Sequence, residues 1–457
     1  MPDTIAGRTA VEPRVRGRVA VVGGGAAGIS AAHRLRRAGL NPVVFEAYSA
    51  IGGRARTVWR DGFGFDIGAG ALPSSNEHVR RMIASLGADR ELVSRGAVVG
   101  VLDNGSVSRV ARRAPLSFAS FSALGTRSKL SLWRLGFDLA RMYSAINYED
   151  LSTAAGFDDQ TVRQYVDRHY SPEVREKLIA PLTRALLLVE PEQTSVVDLF
   201  AAIKSLLVAG WLWTHPEGVG FFIERAARDL EVHLSATVET ATEDSDGVEV
   251  VWSDGTAVVH RERFDAAVLA VSAADVLEIH KGLDVDRARY LSDLDYSESI
   301  VVSLGVGTAP PEPASMVLIP RDLNPDLPVI GLGHNLAPGR VPPGAGILTA
   351  FWMRDWSRRH WQADDDELCD LTVQAVNGLR PGWAADVCAS HVARWSPAVV
   401  ASRPGTFVGL RDFAARSRFD RRIQLAGDYH AQTSVNASVA AGEGAAARVT
   451  ALLRAMS

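Results

Sequence analysis

Lysine is scarce in this chain of 457 residues, confined to Lys129, Lys177, Lys204 and Lys281. Cysteine is scarcer still. Cys369 and Cys388 form no CxxC pair, which excludes a thiol-ligated metal centre, and no metal site is expected. Two thiols fit a reducing compartment, as small buried apolar groups. Long hydrophobic runs are missing too. The most apolar stretch, Ser195–Trp213, is broken by Asp198 and Lys204, so no transmembrane helix is expected. Residues 1–17 are polar, with Pro2, Pro13 and several arginines, and lack the apolar core of a secretory signal. They read as a disordered tail, and the expected location is cytoplasmic. Charge of one sign is lacking as well. A net charge of −4 and a pI near 6.3 argue for neither nucleic acid nor an acidic membrane surface.

What remains is ordinary globular composition, 47% hydrophobic and 22% charged, enough for two or three domains. Arg18–Gly24 reads as a buried parallel strand, Ala26–Ala38 as a helix closed by Gly39, and Asn41–Glu46 as a second strand. Together they make a βαβ unit. Lys129–Tyr143, Thr161–His169 and Ser195–Leu207 carry apolar residues at helical spacing, so 114–227 is expected to be a helical lobe. Glu231–Val238, Val248–Trp252 and Thr256–His260 read as an antiparallel meander, with a hairpin at Asp254-Gly255. Asp265–Val271 and Ile423–Ala426 read as further strands and Ser438–Ala455 as a last helix. The expected class is α/β. A discontinuous Rossmann-like unit (18–80, 228–292 and 404–457) joins a substrate domain with a mixed β-sheet and the helical lobe (81–227 and 293–403).

Gly23, Gly25 and Gly28 form G-x-G-x-x-G between the first strand and the first helix, the context in which this pattern binds a dinucleotide. Gly23 permits a tight turn, Gly25 close approach of a pyrophosphate, and Gly28 close packing of helix on strand. Ala27 lies within the same turn. The helix N-terminus offers N–H groups to phosphate. Glu46 stands where an acid accepts hydrogen bonds from a ribose diol, and it disfavours NADP. Up to this point a nicotinamide dehydrogenase fits equally well. Gly52-Gly53-Arg54 then adds close backbone approach and a forked cation for a diphosphate.

VVGGGAAG, FE, IGGRART and FDIGAGAL, followed at the far end by LAGDY and SVNAS, resemble the flavin-containing amine oxidase superfamily. Monoamine oxidases, protoporphyrinogen oxidases and phytoene-desaturase-like enzymes belong to that group. The resemblance implies non-covalent FAD, since no cysteine follows Cys388. It implies that Gly23, Gly25 and Gly28 approach the diphosphate and that Glu46 binds the adenosine ribose. It sets Gly53 and Arg54 near diphosphate and flavin, and Gly70, Ala71 and Leu72 along the isoalloxazine. Val238 would contact adenine. Gly427 and Asp428 would meet the ribityl or diphosphate region, and Val435 and Asn436 would direct N–H groups at the flavin pyrimidine. Monoamine-oxidase-like members use a lysine near the flavin N5, yet the matching strand, Tyr296–Val302, has none.

Tyr429 and His430 are the candidate catalytic residues, a cavity wall and an acid or base. Trp211, Trp213 and His215 are weaker cavity candidates, and Arg184 and Glu190 bracket an apolar run. The expected function is two-electron oxidation of a small organic substrate at a C–N or C–C bond, with oxygen as electron acceptor. One alternative is a protoporphyrinogen-oxidase-like or desaturase-like enzyme on an apolar substrate. Another is a redox-silent flavoprotein acting as an isomerase or binding module.

Overall fold

The computed structural model describes residues 17–96, 98–111, 121–148, 150–208, 211–337, 339–417, 421–431 and 433–456. The expected tail, apart from Gly17, lies outside the described residues. Gly17 itself accepts a hydrogen bond from Asn41 N.

Five parallel strands form the first sheet: β1 (Arg18–Val22), β2 (Asn41–Glu46), β3 (Glu231–Leu234), β4 (Ala266–Leu269) and β5 (Ile423–Leu425). Their order is β3-β2-β1-β4-β5. The sheet therefore draws on three stretches of chain, each more than 150 residues from the next, and the protein is an α/β fold with a Rossmann-like sheet. Strand side chains alternate between faces. Val19 and Val21 of β1 pack with Ile29 and Leu35 of α1 (Ala26–Arg37) on one face. Ala20 and Val22 pack with Trp252 and Phe264 on the other.

The strand expected at Glu231–Val238 is two strands. The chain breaks at Ser235, whose φ is +52°, and Ala236 N donates to Glu46 O. The first half joins the parallel sheet as β3. The second half, Thr237–Glu243, opens the meander with Val248–Ser253 and Val259–Phe264. The hairpin at Asp254 is also longer than two residues. The Asp254 carboxylate accepts from Thr256 N and Val258 N, holding a loop that delays the next strand to Val259.

A seven-stranded mixed sheet includes Val98–Asp103, Ser299–Val306, Gly346–Phe351 and Val387–Trp395. Helices at Thr126–Ser131, Trp133–Met142, Val162–His169, Ala180–Leu187 and Val196–Val208 form the helical region. The helix Phe221–Ala227, read from sequence as part of that lobe, instead puts Phe221, Phe222 and Ile223 into the core shared with α1.

Two further helices complete the parallel layer, α2 (Glu77–Ser85) and α3 (Val435–Met456). The last helix thus starts at Val435, three residues ahead of the expected Ser438. It lies directly on α1. A side chain at Gly442 would collide with Ala27 O and Ser30 Oγ. Gly442→Ala is therefore expected to lower stability by about 1–3 kcal/mol through overpacking. Urea unfolding checks this, and an unchanged midpoint would show that the helices separate freely.

Candidate functional site

The glycine-rich turn sits where β1 hands the chain to α1. Gly23 has φ +102°, and a side chain there would strike Ala270 O. One at Gly28 would strike Gly23 O, so helix and strand meet at backbone contact. Gly25 faces open space, with nothing within 4 Å of where its Cβ would lie. It is the N-cap of α1 and offers no capping side chain. Ala27 faces away, its carbonyl taken by Ser30 Oγ and packed beneath α3.

Glu46 ends β2 and is buried. Its carboxylate accepts from Gly24 N at 2.6 Å and Tyr48 N at 2.9 Å, which pins it beside the turn. Gly52 N donates to Gly24 O, so the 52–54 segment lies against the same turn. Gly53 follows, its Cβ position 3.4 Å from Gly25 Cα. Val238 is buried opposite Trp252 and enters just after the Glu46–Ala236 hydrogen bond.

The two ends of the chain meet at Arg54. Its Nη1 donates to Asp428 Oδ2 at 2.8 Å and to Ala398 O at 2.6 Å. Asp428 is 2% exposed. Its carboxylate also accepts from Tyr296 Oη at 3.1 Å and Thr433 Oγ1 at 3.2 Å. Burial, then the Asp428 charge, hold the Tyr296 hydroxyl protonated, so it remains a donor. Tyr296 and Thr433 were not among the expected site residues. Tyr296 lies 132 positions from Asp428, and no local spacing pairs them.

Gly427 is extended, and a side chain there would strike the Tyr429 ring. Gly70 opens onto space with nothing within 4 Å of its Cβ position. Ala71 follows, half-buried, and Leu72 points into the core, its strand paired with Trp213. At the start of α3, Ser434 Oγ accepts from Ala437 N, and no described residue engages the N–H groups of Val435 or Asn436. The Asn436 side chain turns away. Its Oδ1 accepts from His78 N and Val79 N and so caps α2.

His430, expected as an acid or base, holds a neutral imidazole near neutral pH, and Tyr429, expected as a cavity wall, packs in the core beside it. Tyr429 is fully buried with its ring edge on Phe413. Burial pushes its hydroxyl well above the usual range. His430 packs on Phe413 and Tyr429, and its Nε2 has no hydrogen-bond partner among the described residues. Burial, then the Arg448 charge, lower its pKa to about 3. His215 stacks on Phe221 at 4.0 Å, and buried Arg184 pairs with Glu190 at 3.3 Å.

The family model for flavin containing amine oxidoreductases matches residues 26–450. The chain belongs to this family. Coproporphyrinogen III oxidase of Mycobacterium tuberculosis is 27% identical over 473 residues, covering 95% of this chain and 97% of that protein. Protoporphyrinogen oxidase 2 of Arabidopsis thaliana is 28% identical over 194 residues, 40% of this chain and 35% of that one. The match thus spans about a third of the plant relative's length. The solved cyclohexylamine oxidase from Brevibacterium oxydans IH-35A superposes with a TM-score of 0.73 at 22% identity, covering 96% of this chain and 99% of that one, a likeness of fold.

As a member of this family, the chain is a flavin-containing oxidoreductase. Its residues fit the cofactor. The bare walls at Gly25 and Gly70 leave room that a Cβ would narrow. The uncapped start of α1 supplies N–H groups for phosphate, and Arg54 supplies a cation beside it.

His430 also makes stability depend on acid. Unfolded, its imidazole takes a proton below about pH 6.5. Folded, it resists protonation until about pH 3. Its contribution is complete above the unfolded value and is lost as pH falls between the two. His430→Asn is expected to flatten the decline of the thermal midpoint from pH 6.5 to 4; an identical slope in both proteins would count against the buried neutral imidazole.

Proposed function

We propose that this FAD-dependent oxidoreductase dehydrogenates a reduced, largely apolar heterocycle of the porphyrinogen class, with oxygen taking up the electrons. The observation that carries this reading is where the lysines lie. Lys177 pairs with Asp103 at 3.0 Å, and Lys281 with Glu278 at 2.9 Å. Lys204 donates to the carbonyls of Tyr143 and Ile146. Lys129 sits in the helix Thr126–Ser131. The strand Ser299–Val306, buried throughout, carries none. The resemblance to monoamine oxidases implies a lysine near the flavin, and this chain offers no such group. The end-to-end likeness to a coproporphyrinogen III oxidase supports the same substrate class.

Bound FAD supplies a two-electron acceptor for hydride. The chain's contribution is positioning. Gly23, Gly25 and Gly28 take the diphosphate against the start of α1. Glu46 receives the ribose hydroxyls, and Val238 borders the adenine. Arg54 neutralises the diphosphate and is itself held by Asp428, so Asp428 acts through Arg54. Gly53, Gly70 and Ala71 would border the flavin as backbone, while Leu72 anchors the residue next to Ala71 in the core. Gly427 sets the close approach that aims Asp428. Val435 and Asn436 would present N–H groups toward the flavin pyrimidine from a helix N-terminus, which favours negative charge. The FAD is held without a covalent bond. Hydride transfer on such a scaffold needs orientation more than a proton carrier.

Anaerobic mixing with coproporphyrinogen III or protoporphyrinogen IX is expected to bleach the flavin, with peroxide released on readmitting oxygen. Bleaching by putrescine or cyclohexylamine alone would assign the protein to amine oxidation instead. A separate check addresses the cofactor cradle. Glu46→Ala is expected to weaken FAD binding by roughly tenfold or more. Unchanged affinity in equilibrium dialysis would remove Glu46 from the ribose role.

A further inference from the structure

The three helices of the parallel layer hold between them a cavity of about 530 Å³, lined from α1, α2 and α3. Helices α1 and α3 run side by side in the same direction. Ser30 Oγ donates to Val439 O near their starts, and Leu40 and Leu453 both lie against Gly17 near their ends. Helix α2 is tied to this pair at both of its own ends. Glu443 meets His78 Nδ1 at 2.7 Å, and His33 Nε2 meets Ser85 Oγ at 3.1 Å. The cavity therefore has a fixed frame.

Its lining is basic. Arg34 and Arg37 of α1, Arg81 of α2 and Arg454 of α3 all border it. Glu443 is the one carboxylate among the lining residues, and His78 and Arg81 already engage it at 2.7 and 3.4 Å. Arg34 and Arg37 are exposed, and neither side chain has a hydrogen-bond or ion-pair partner among the described residues. Burial, then the Arg37 charge, lowers the pKa of His33, while Glu443 acts the other way. Helix polarity explains only part of this arrangement. A helix C-terminus favours cations, and Arg34, Arg36 and Arg37 occupy the last turn of α1. That reason serves Arg36 equally, although Arg36 does not line the cavity. It does not serve Arg81, which stands in the middle of α2.

We propose that this cavity binds a compact, soluble polyanion of the phosphate class, held by Arg34 and Arg37 from one side and by Arg81 and Arg454 from the others. A concave wall of one charge sign focuses its field on a small multivalent anion. Planar guanidinium groups meet phosphate oxygens in pairs. The volume lies within the range of roughly 300–1,000 Å³ typical of small-molecule pockets. The four arginines converge from three helices on one concavity instead of spreading along a surface, which favours a compact ligand over an acidic protein segment. The cavity shares no residue with the flavin cradle, so it stands apart from how that site is read.

The test is isothermal titration of the FAD-loaded protein with pyrophosphate at constant ionic strength. Bound FAD fills the diphosphate cradle, so the titrant cannot report on that site. Saturable binding at one site per chain is expected. The double variant Arg34→Gln/Arg37→Gln is expected to weaken it by roughly tenfold or more. Arg36→Gln removes the same charge from the same turn of α1 but outside the cavity, and is expected to leave the affinity nearly unchanged. All three side chains are exposed, and matching thermal midpoints verify that the variants fold. Glycerol 3-phosphate, titrated in parallel, separates two sources of the ligand. Tighter binding of pyrophosphate assigns the site to inorganic polyphosphate, and the reverse order assigns it to a phosphate ester. Absence of saturable binding, an affinity unmoved by Arg34→Gln/Arg37→Gln, or equal weakening by Arg36→Gln overturns the proposal. So does release of FAD on addition of pyrophosphate, which would place the titrant in the cofactor cradle.

Discussion

A carboxylate that has left water must find its counter-charge inside the protein, and Asp428 is such a carboxylate. Its partners are Arg54, Tyr296 and Thr433, three groups from three different stretches of chain. Arg54 then reaches a fourth stretch at the carbonyl of Ala398. One buried charge thus ties the N-terminal glycine segment, the short strand Asp295–Tyr296 in the middle of the chain, and the turn before α3. Arg54 is about a third exposed, and its Nη1 is anchored. A cation held in this way needs no reorganisation to meet an anion, which is what the proposed diphosphate role requires.

A second buried pair does related work on the neighbouring hairpin. Asp66 accepts from Thr57 Oγ1 and Val219 N and pairs with Arg340, which also donates to His215 O. The 57–66 hairpin is thereby fastened to the 215–220 turn. Between these two anchors runs the Gly68–Leu72 segment. Its glycines let backbone pass Arg54 closely at Gly68 and leave Gly70 facing open space. The cradle is therefore rigid at both ends and bare in the middle, which suits a flat ring system better than a flexible chain.

Much of the parallel layer was legible because its signals are local. A strand, three glycines, a helix and an acid at the next strand end occupy fewer than thirty residues, and each has one physical reason to be there. The same locality explains the errors. Glu231–Val238 carries unbroken strand chemistry, yet Ser235 turns because two different sheets need its two halves. Ser438 looked like a helix start, whereas Ser434 caps α3 and Asn436 is drawn aside to cap α2. Tyr429 and His430 stand next to a functional motif in sequence, but their rings point into the core around Phe413. Adjacency along the chain says nothing about which way a side chain faces.

The sequence by itself determined the family, the dinucleotide turn and the absence of a lysine on the buried strand, because each is written in residue types at short spacing. Only the tertiary structure decided who holds Asp428, how Asn436 is spent, and that Leu130, Trp133 and Phe137 lie outward. Those outcomes depend on contacts between segments more than a hundred residues apart, or on which face of a helix the core has already claimed. No local pattern encodes either.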